Sequence, residues 1–388
     1  MRRFPLVLAV LFTVGLAQSL TPQQALERLF TQPPAKAEWF TPEFLAQVPA
    51  AQIDAIVKGL TAALGAYQKV RSDGQNFVVE FEKGLVPTQI ALDAQGRIAG
   101  LFFRPPQPKA ALSPEQALAQ FKSLPGRTSL LVLEDGQPKV LLNSDTPLAI
   151  GSAFKLAVLA ALQEQIQAGQ RKWSDTVPLK AQWKSLPSGT LQNEPDGKPI
   201  SLEQYATQMI SISDNTAADA LIYIVGRGNV ERLTPRNQPF LTTREAFILK
   251  NPANKDVLGR YRKADPAERT ALLPELAKLP LPGVDVFAGG PVAIDIEWFF
   301  STAELCGLIE KVQALPLMSV NPGLANPTDW QKVAFKGGSE PGVLNLTSYL
   351  VAKSGKHLCV SATWNNPQAA LDESQFYLLY SGLLAGLK

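Results

Sequence analysis

Apolar positions in the first 65 residues recur at helical spacing. Leu26, Leu29 and Phe30 share one face behind Thr21-Pro22, a cap followed by proline at the first helical position, and Thr41-Pro42 opens a second helix. From Ala66 the period shortens towards two: Phe77, Val79 and Phe81 alternate, and apolar stretches follow at 90–92 and 98–103. Ser72-Asp73-Gly74, Lys83-Gly84 and residues 93–96 supply the turns. Helices followed by a strand meander predict a small α+β domain. The Pro-rich stretch Arg104 to Lys109 then interrupts both periods and reads as a linker, which places a domain boundary at residue 108. Beyond it the pattern predicts a helix over 113–124 and strands over 129–134 and 139–142 around Asp135-Gly136. A long, mainly helical middle follows, then strands over 333–336, 345–352 and 357–363 and a closing helix over 374–387. Strands at both ends of a segment with helices between them imply one antiparallel sheet with helices on its faces.

Composition narrows the chemistry. The 388 residues are 46% hydrophobic and 18% charged, which excludes disordered and coiled-coil classes. Lys and Arg number 37 against 34 Asp and Glu, with no basic run interleaved with aromatics, so nucleic acid is not the expected partner. The single histidine, His357, is expected at a surface hairpin; one imidazole cannot build a multi-histidine zinc site. Proton transfer in an enzyme of this composition therefore falls to Lys, Asp, Glu or Tyr, and no metal or organic cofactor is expected. Cys306 and Cys359 have no metal-ligand spacing. A disulfide between them is compatible with export, but nothing in the sequence fixes their separation, and the expectation is two free buried cysteines. Trp173, Trp183, Trp298 and Trp330 are expected to be packing residues.

Arg2-Arg3 followed by an apolar run to Leu16 and the small-residue pattern ending at Ala17 reads as an export signal over residues 1–17. The run is too short to span a bilayer, so no transmembrane anchor is expected after its removal, and the mature chain is expected in the periplasm or secreted. That gives 18–108 as the small domain and 109–388 as the main one. Oligomeric state is not legible.

Three short motifs in the main domain carry candidate chemistry. In Gly151-Ser152-Ala153-Phe154-Lys155 the serine and lysine stand at i and i+3, one helical turn apart, ahead of a wholly apolar stretch. One reading is a capping serine with a solvated lysine; the other is a serine nucleophile deprotonated by a lysine that burial keeps neutral. Ser213-Asp214-Asn215 reads either as a helix cap or as a hydroxyl proton relay beside an amide that grips a substrate carbonyl. In Lys336-Gly337-Gly338-Ser339 a strand is expected to end in two glycines. This is either a hairpin turn or an edge against which substrate lies, with Lys336 as positive charge and a backbone amide as oxyanion donor.

Together, in this order and on helix, loop and strand, the three motifs resemble those of the penicillin-recognising serine hydrolases, the superfamily of class A β-lactamases and penicillin-binding proteins. Through Pro147 to Lys155, Pro239 to Glu245 and Ile296-Glu297-Trp298, the chain is similar to the two-domain β-lactamase-like proteins of clavulanic-acid gene clusters, which place a small ketosteroid-isomerase-like domain ahead of the hydrolase domain. The resemblance implies a class A β-lactamase/transpeptidase-like α+β fold over 109–388. It makes Ser152 the acylated nucleophile, Lys155 its base, Ser213 the relay and Lys336 the carboxylate anchor. Asn215, Gly337, Gly338 and Ser339 then bind substrate, with the Ser152 and Ser339 amides as the oxyanion hole. The implied partner is a small acyl substrate: a β-lactam, with an ester or cell-wall peptide, or a non-turnover penicillin binder, as the alternative. Two departures stand out. Gly337 replaces a hydroxyl residue in the third motif, and no Glu-x-x-x-Asn loop for activating a deacylating water follows Ser213. Glu231 and Glu245 are the nearest acids, and Glu245 is expected to pair with Arg244 or lie on a helix surface. Ser185 to Gly189 reads as either cleft wall or ordinary loop.

Overall fold

The computed structural model describes residues 20–388, so the export-signal expectation lies outside the described residues. These form two compact units that divide between Gln107 and Pro108.

In the first unit, α1 (Pro22–Thr31) starts at Thr21, whose hydroxyl accepts from the Gln24 amide while the Gln24 side chain accepts from the Thr21 amide. It buries Ala25, Leu26 and Leu29. The helix α2 (Ala50–Leu64) follows, then four antiparallel strands, β1 (Tyr67–Asp73), β2 (Asn76–Phe81), β3 (Gly84–Leu92) and β4 (Ile98–Phe103), paired in chain order. This is the helices-then-meander arrangement of the hydrophobic pattern.

The second unit is built on a sheet of β5 (Arg127–Glu134), β6 (Gln137–Leu142), β7 (Trp330–Glu340), β8 (Val343–Ala352) and β9 (His357–Asn365). Their order is β7-β8-β9-β5-β6, every pair antiparallel, so strands from both ends of the unit meet in one sheet and β7 is an edge. The run Leu130-Leu131-Val132 in β5 is apolar throughout because both faces are covered. Leu130 and Val132 belong to the core with helices α3 (Pro114–Ser123) and α9 (Glu373–Gly386). Leu131 faces the larger core, with α4 (Lys155–Gln167), α5 (Leu202–Ser211), α6 (Asn215–Val225), α7 (Thr243–Lys250) and α8 (Thr302–Val312). The fold is the α+β antiparallel class expected from the pattern.

Two local expectations are corrected. Cys306 on α8 and Cys359 on β9 form a disulfide, with Cα atoms 5.9 Å apart. The helix lies across the sheet face that carries Cys359, a proximity set by packing between elements 53 positions apart. The second correction is that β7 runs straight through Gly337 and Gly338 to Glu340, paired with Leu346, Asn345 and Val343, so the glycines do not end the strand. Replacing both cysteines with alanine is expected to cost about 4 kcal/mol, the chain-entropy value for a loop of this length. Urea unfolding of the oxidised protein and the double variant measures it.

Candidate active site

The site is assembled where the edge strand β7 meets the turn that starts α4. Ser152 lies in a 3-10 turn, Gly151–Phe154, that feeds directly into the helix at Lys155. Gly151 has φ +50° and a Cβ on it would sit 2.9 Å from the Ser339 amide nitrogen. A Cβ on Gly338 would lie 2.3 Å from the Ser152 amide nitrogen and from the Ile150 carbonyl oxygen. The two backbones therefore approach as closely as glycine alone permits. Gly338→Ala is expected to force β7 off the Ser152 turn, lowering any Ser152-dependent reaction more than about 100-fold, the scale on which small misplacements act. Burst kinetics of the variant checks this.

Lys155 is fully buried. Its Nζ lies 2.6 Å from the Ser213 carbonyl oxygen, 2.7 Å from Asn215 Oδ1, and 3.1 Å from both Ser152 Oγ and Ser213 Oγ. Asn215 Nδ2 donates to the Leu186 carbonyl, which fixes its amide with the oxygen towards the lysine. Burial and the Lys336 charge hold the Lys155 ammonium well below its ordinary range. A neutral amine has two hydrogens, which the carbonyl and the amide oxygen, acceptors only, consume. The lone pair then faces hydroxyls that can donate to it, Ser152 among them.

Ser213 has φ +59°, a left-handed conformation that is costly for serine and is found where surrounding structure enforces it. The enforcement comes from Asp214, which caps α6 through the Ala217 amide and also accepts from the Thr190 and Leu191 amides. Gly189, at φ +90°, leaves room for that carboxylate, since a Cβ there would sit 2.2 Å from Asp214 Oδ2. Ser188 Oγ donates to the Ser213 carbonyl and the Asn215 amide donates to the Ser188 carbonyl. The 185–189 segment is thus cleft wall, tied to the second motif. Lys336, 3% exposed, donates to Ser213 Oγ at 3.0 Å, so the hydroxyl bridges two lysines. Burial pushes Lys336 down to about 7.

Two recesses meet at the nucleophile. One, of about 360 Å³, is lined by Ser213, Lys336, Gly337, Gly338 and Asn345. The other, of about 330 Å³, is lined by Asn215, Phe247, Phe287, Trp298, Lys250, Glu297 and Glu340. Ser152, Ser188 and Ser339 line both. All eight residues singled out in the sequence, Ser152, Lys155, Ser213, Asn215, Lys336, Gly337, Gly338 and Ser339, fall at this junction. Trp298 packs as expected, stacked on Phe154 with ring centroids 3.9 Å apart, and also lines the cleft.

The structure adds Asp219, Lys250 and Glu340, which the sequence did not single out. Asp219, held up at about 7 by burial, accepts from the Thr243 amide and hydroxyl and the Arg244 amide, seating α7 beside the cleft. At the other end of α7, buried Lys250 donates to Glu297 (2.7 Å) and Glu340 (2.6 Å). Glu245 is corrected: it is buried, paired with Arg227 at 2.7 and 3.0 Å, and accepts from the Thr242 amide to close the cap of α7. Arg244 turns away from it, donating to the Lys184 carbonyl. Glu231 accepts from the Phe240 amide, and neither acid lines the two recesses. His357 is exposed, with Nδ1 2.7 Å from the Tyr349 hydroxyl, and it lines neither of the two recesses.

Residues 114–279 match the model of a beta-lactamase enzyme family. No curated protein matches the chain. Among solved structures, a β-lactamase from Sphaerobacter thermophilus is 20% identical, with 71% of this chain and 97% of that one covered and a TM-score of 0.49. PBP-A is 13% identical over 71% and 94%, with a TM-score of 0.49, and a β-lactamase from Chitinophaga pinensis is 15% identical over 70% and 97%, with a TM-score of 0.48.

Proposed function

We propose that this chain, a member of the penicillin-recognising serine hydrolase superfamily as its motifs imply and the family match bears out, is an exported serine acyl hydrolase that opens a β-lactam amide through an acyl-enzyme at Ser152. The observation that carries the reading is the Lys155 amine, buried, disfavoured as an ammonium, and 3.1 Å from Ser152 Oγ. In this mechanism neutral Lys155 takes the Ser152 proton as Oγ attacks the carbonyl carbon. The amides of Ser152 and Ser339 receive the oxyanion. The proton passes through Ser213, which touches both lysines, to the departing nitrogen as the C–N bond breaks. Lys336 anchors a substrate carboxylate from the first recess, with Gly337 and Gly338 letting the substrate lie flat on β7. Asn215 holds Lys155 and reaches the acyl amide from the second recess. Ser339 supplies the hydroxyl that Gly337 lacks. The disulfide fits an oxidising compartment outside the cytoplasm.

Intact-protein mass spectrometry after mixing with a chromogenic cephalosporin, beside Ser152→Ala, tests this reading. A serine-dependent adduct that decays as product accumulates is expected. Rapid turnover of a simple ester with a persistent β-lactam adduct would instead assign the site to an esterase or cell-wall peptidase, for which the free edge of β7 offers room to seat an extended peptide. Absence of any adduct would remove the reading.

A further inference from the structure

An acyl-enzyme is an ester, and its hydrolysis at neutral pH calls for a group that takes a proton from the attacking water. Among the described residues lining the two recesses, the carboxylates are Glu297 and Glu340. Both stand on the second recess, and both are held by Lys250. Glu297 Oε1 takes the Lys250 ammonium and Oε2 accepts from the amide of Gly151, the residue before the nucleophile, at 3.1 Å, whereas both Glu340 oxygens accept from Lys250, each at 2.6 Å. Glu340 is the more open of the two, its side chain 15% exposed against 3%. Along β7, Lys336, Gly338 and Glu340 share one face, because strand side chains alternate. Gly338 abuts the Ser152 turn, Lys336 reaches Ser213 on one side, and Glu340 stands on the other.

Resting on the acyl-enzyme reading above, we infer that Glu340, oriented by Lys250 and Glu297, is the base that deprotonates the water hydrolysing the Ser152 ester. The water oxygen attacks the acyl carbon while one of its protons passes to the Glu340 carboxylate. The tetrahedral intermediate collapses with cleavage of the bond to Ser152 Oγ, and the proton returns from Glu340 to that oxygen. The products are the free acid and the regenerated serine. Burial and the adjacent Glu297 charge push Glu340 up to about 8, and only its ionised form takes the proton, so decay of the adduct is expected to quicken as pH rises through that value. The Glu297–Lys250 pair acts by positioning Glu340 and by fixing the backbone at Gly151.

The test is Glu340→Gln beside wild type, with rapid-quench mass spectrometry separating formation of the cephalosporin adduct from its decay. Glu340→Gln is expected to acylate within about threefold of wild type while its adduct decays at least about 100-fold more slowly. Glu340→Asp, which keeps the charge on Lys250 but withdraws the carboxylate, is expected to fall between, and it serves alone should the glutamine variant not fold. Adduct decay within threefold of wild type in the folded variant overturns the assignment. A wild-type adduct that never decays overturns it too, while leaving acylation at Ser152 in place. No adduct on wild type overturns the acyl-enzyme reading itself, and the assignment with it.

Discussion

Replacing Lys155 with methionine is expected to lower the rate of the proposed acylation at Ser152 by about 10³- to 10⁴-fold while leaving the chain folded. Methionine is an unbranched side chain that can fill much of the buried volume of the lysine stem, so packing is largely kept. The Ser213 carbonyl and Asn215 Oδ1 lose their donor, at about 1–3 kcal/mol each, and the relief of burying an amine offsets part of that. Stopped-flow bursts and urea unfolding on the same preparation separate the two effects; acylation within tenfold of wild type would remove Lys155 as the base. The pH profile of the parent protein carries the same chemistry. In the proposed mechanism acylation requires Lys155 without its proton, so kcat/KM is expected to rise with pH along a limb lying well below the ordinary lysine range. An anionic substrate requires Lys336 with its proton, so the profile falls again as pH passes about 7. Lys336→Met removes the neighbouring charge that helps depress Lys155, so it moves the rising limb to higher pH and abolishes the falling one.

Much of this site was legible because its parts are local. Ser152 and Lys155 are three residues apart, and the apolar residues after Lys155 announce that the lysine is buried. Ser213 and Asn215 flank the capping aspartate, and Lys336 to Ser339 are consecutive, so each motif travels as a rigid piece whose internal geometry is set by a few backbone angles. That strands from the two ends of the domain share one antiparallel sheet followed from the same local patterns, whereas their order within it did not. What escaped is what packing alone brings together. Cys306 meets Cys359 because α8 crosses β9. Glu245 reaches past its neighbour Arg244 to Arg227, because the Thr242 cap turns its carboxylate inward and Asp219 draws the Arg244 backbone the other way. The glycines of β7 suggested a strand end, yet they continue the ladder and spend their missing side chains on the approach of Ser152. Lys250, Glu297 and Glu340 come from a helix, a loop and a strand, 47 and 90 positions from the lysine to each acid, and no local pattern joins them.

That cluster gives the largest expected change in stability. Lys250→Met is expected to destabilise the second unit by about 3–5 kcal/mol at pH 7, the cost of leaving buried charge without its partner. Burial by itself would lower the Lys250 ammonium, but Glu297 and Glu340 outweigh it and hold it above its ordinary range. Glu340, already raised by burial and by Glu297, is lowered in part by Lys250, so losing the ammonium raises it further. A carboxylate raised in the folded state binds more protons there than in the unfolded chain, so its contribution to stability declines as pH rises through the interval from about 4.5 upward. The variant is therefore expected to recover stability on acidification towards pH 5, and denaturant midpoints across that range read the effect. Replacing the cluster as a unit gives the complementary result. Lys250→Met combined with Glu297→Gln and Glu340→Gln removes every charge, leaves groups that can bond one another, and is expected to regain most of the loss. A single Lys250→Met variant with an unchanged midpoint at pH 7 would mean that water reaches the two carboxylates in solution. Recovery of stability in the triple variant together with loss of adduct decay separates the two roles of the cluster, because the charges would then be dispensable for the fold and required only at Ser152.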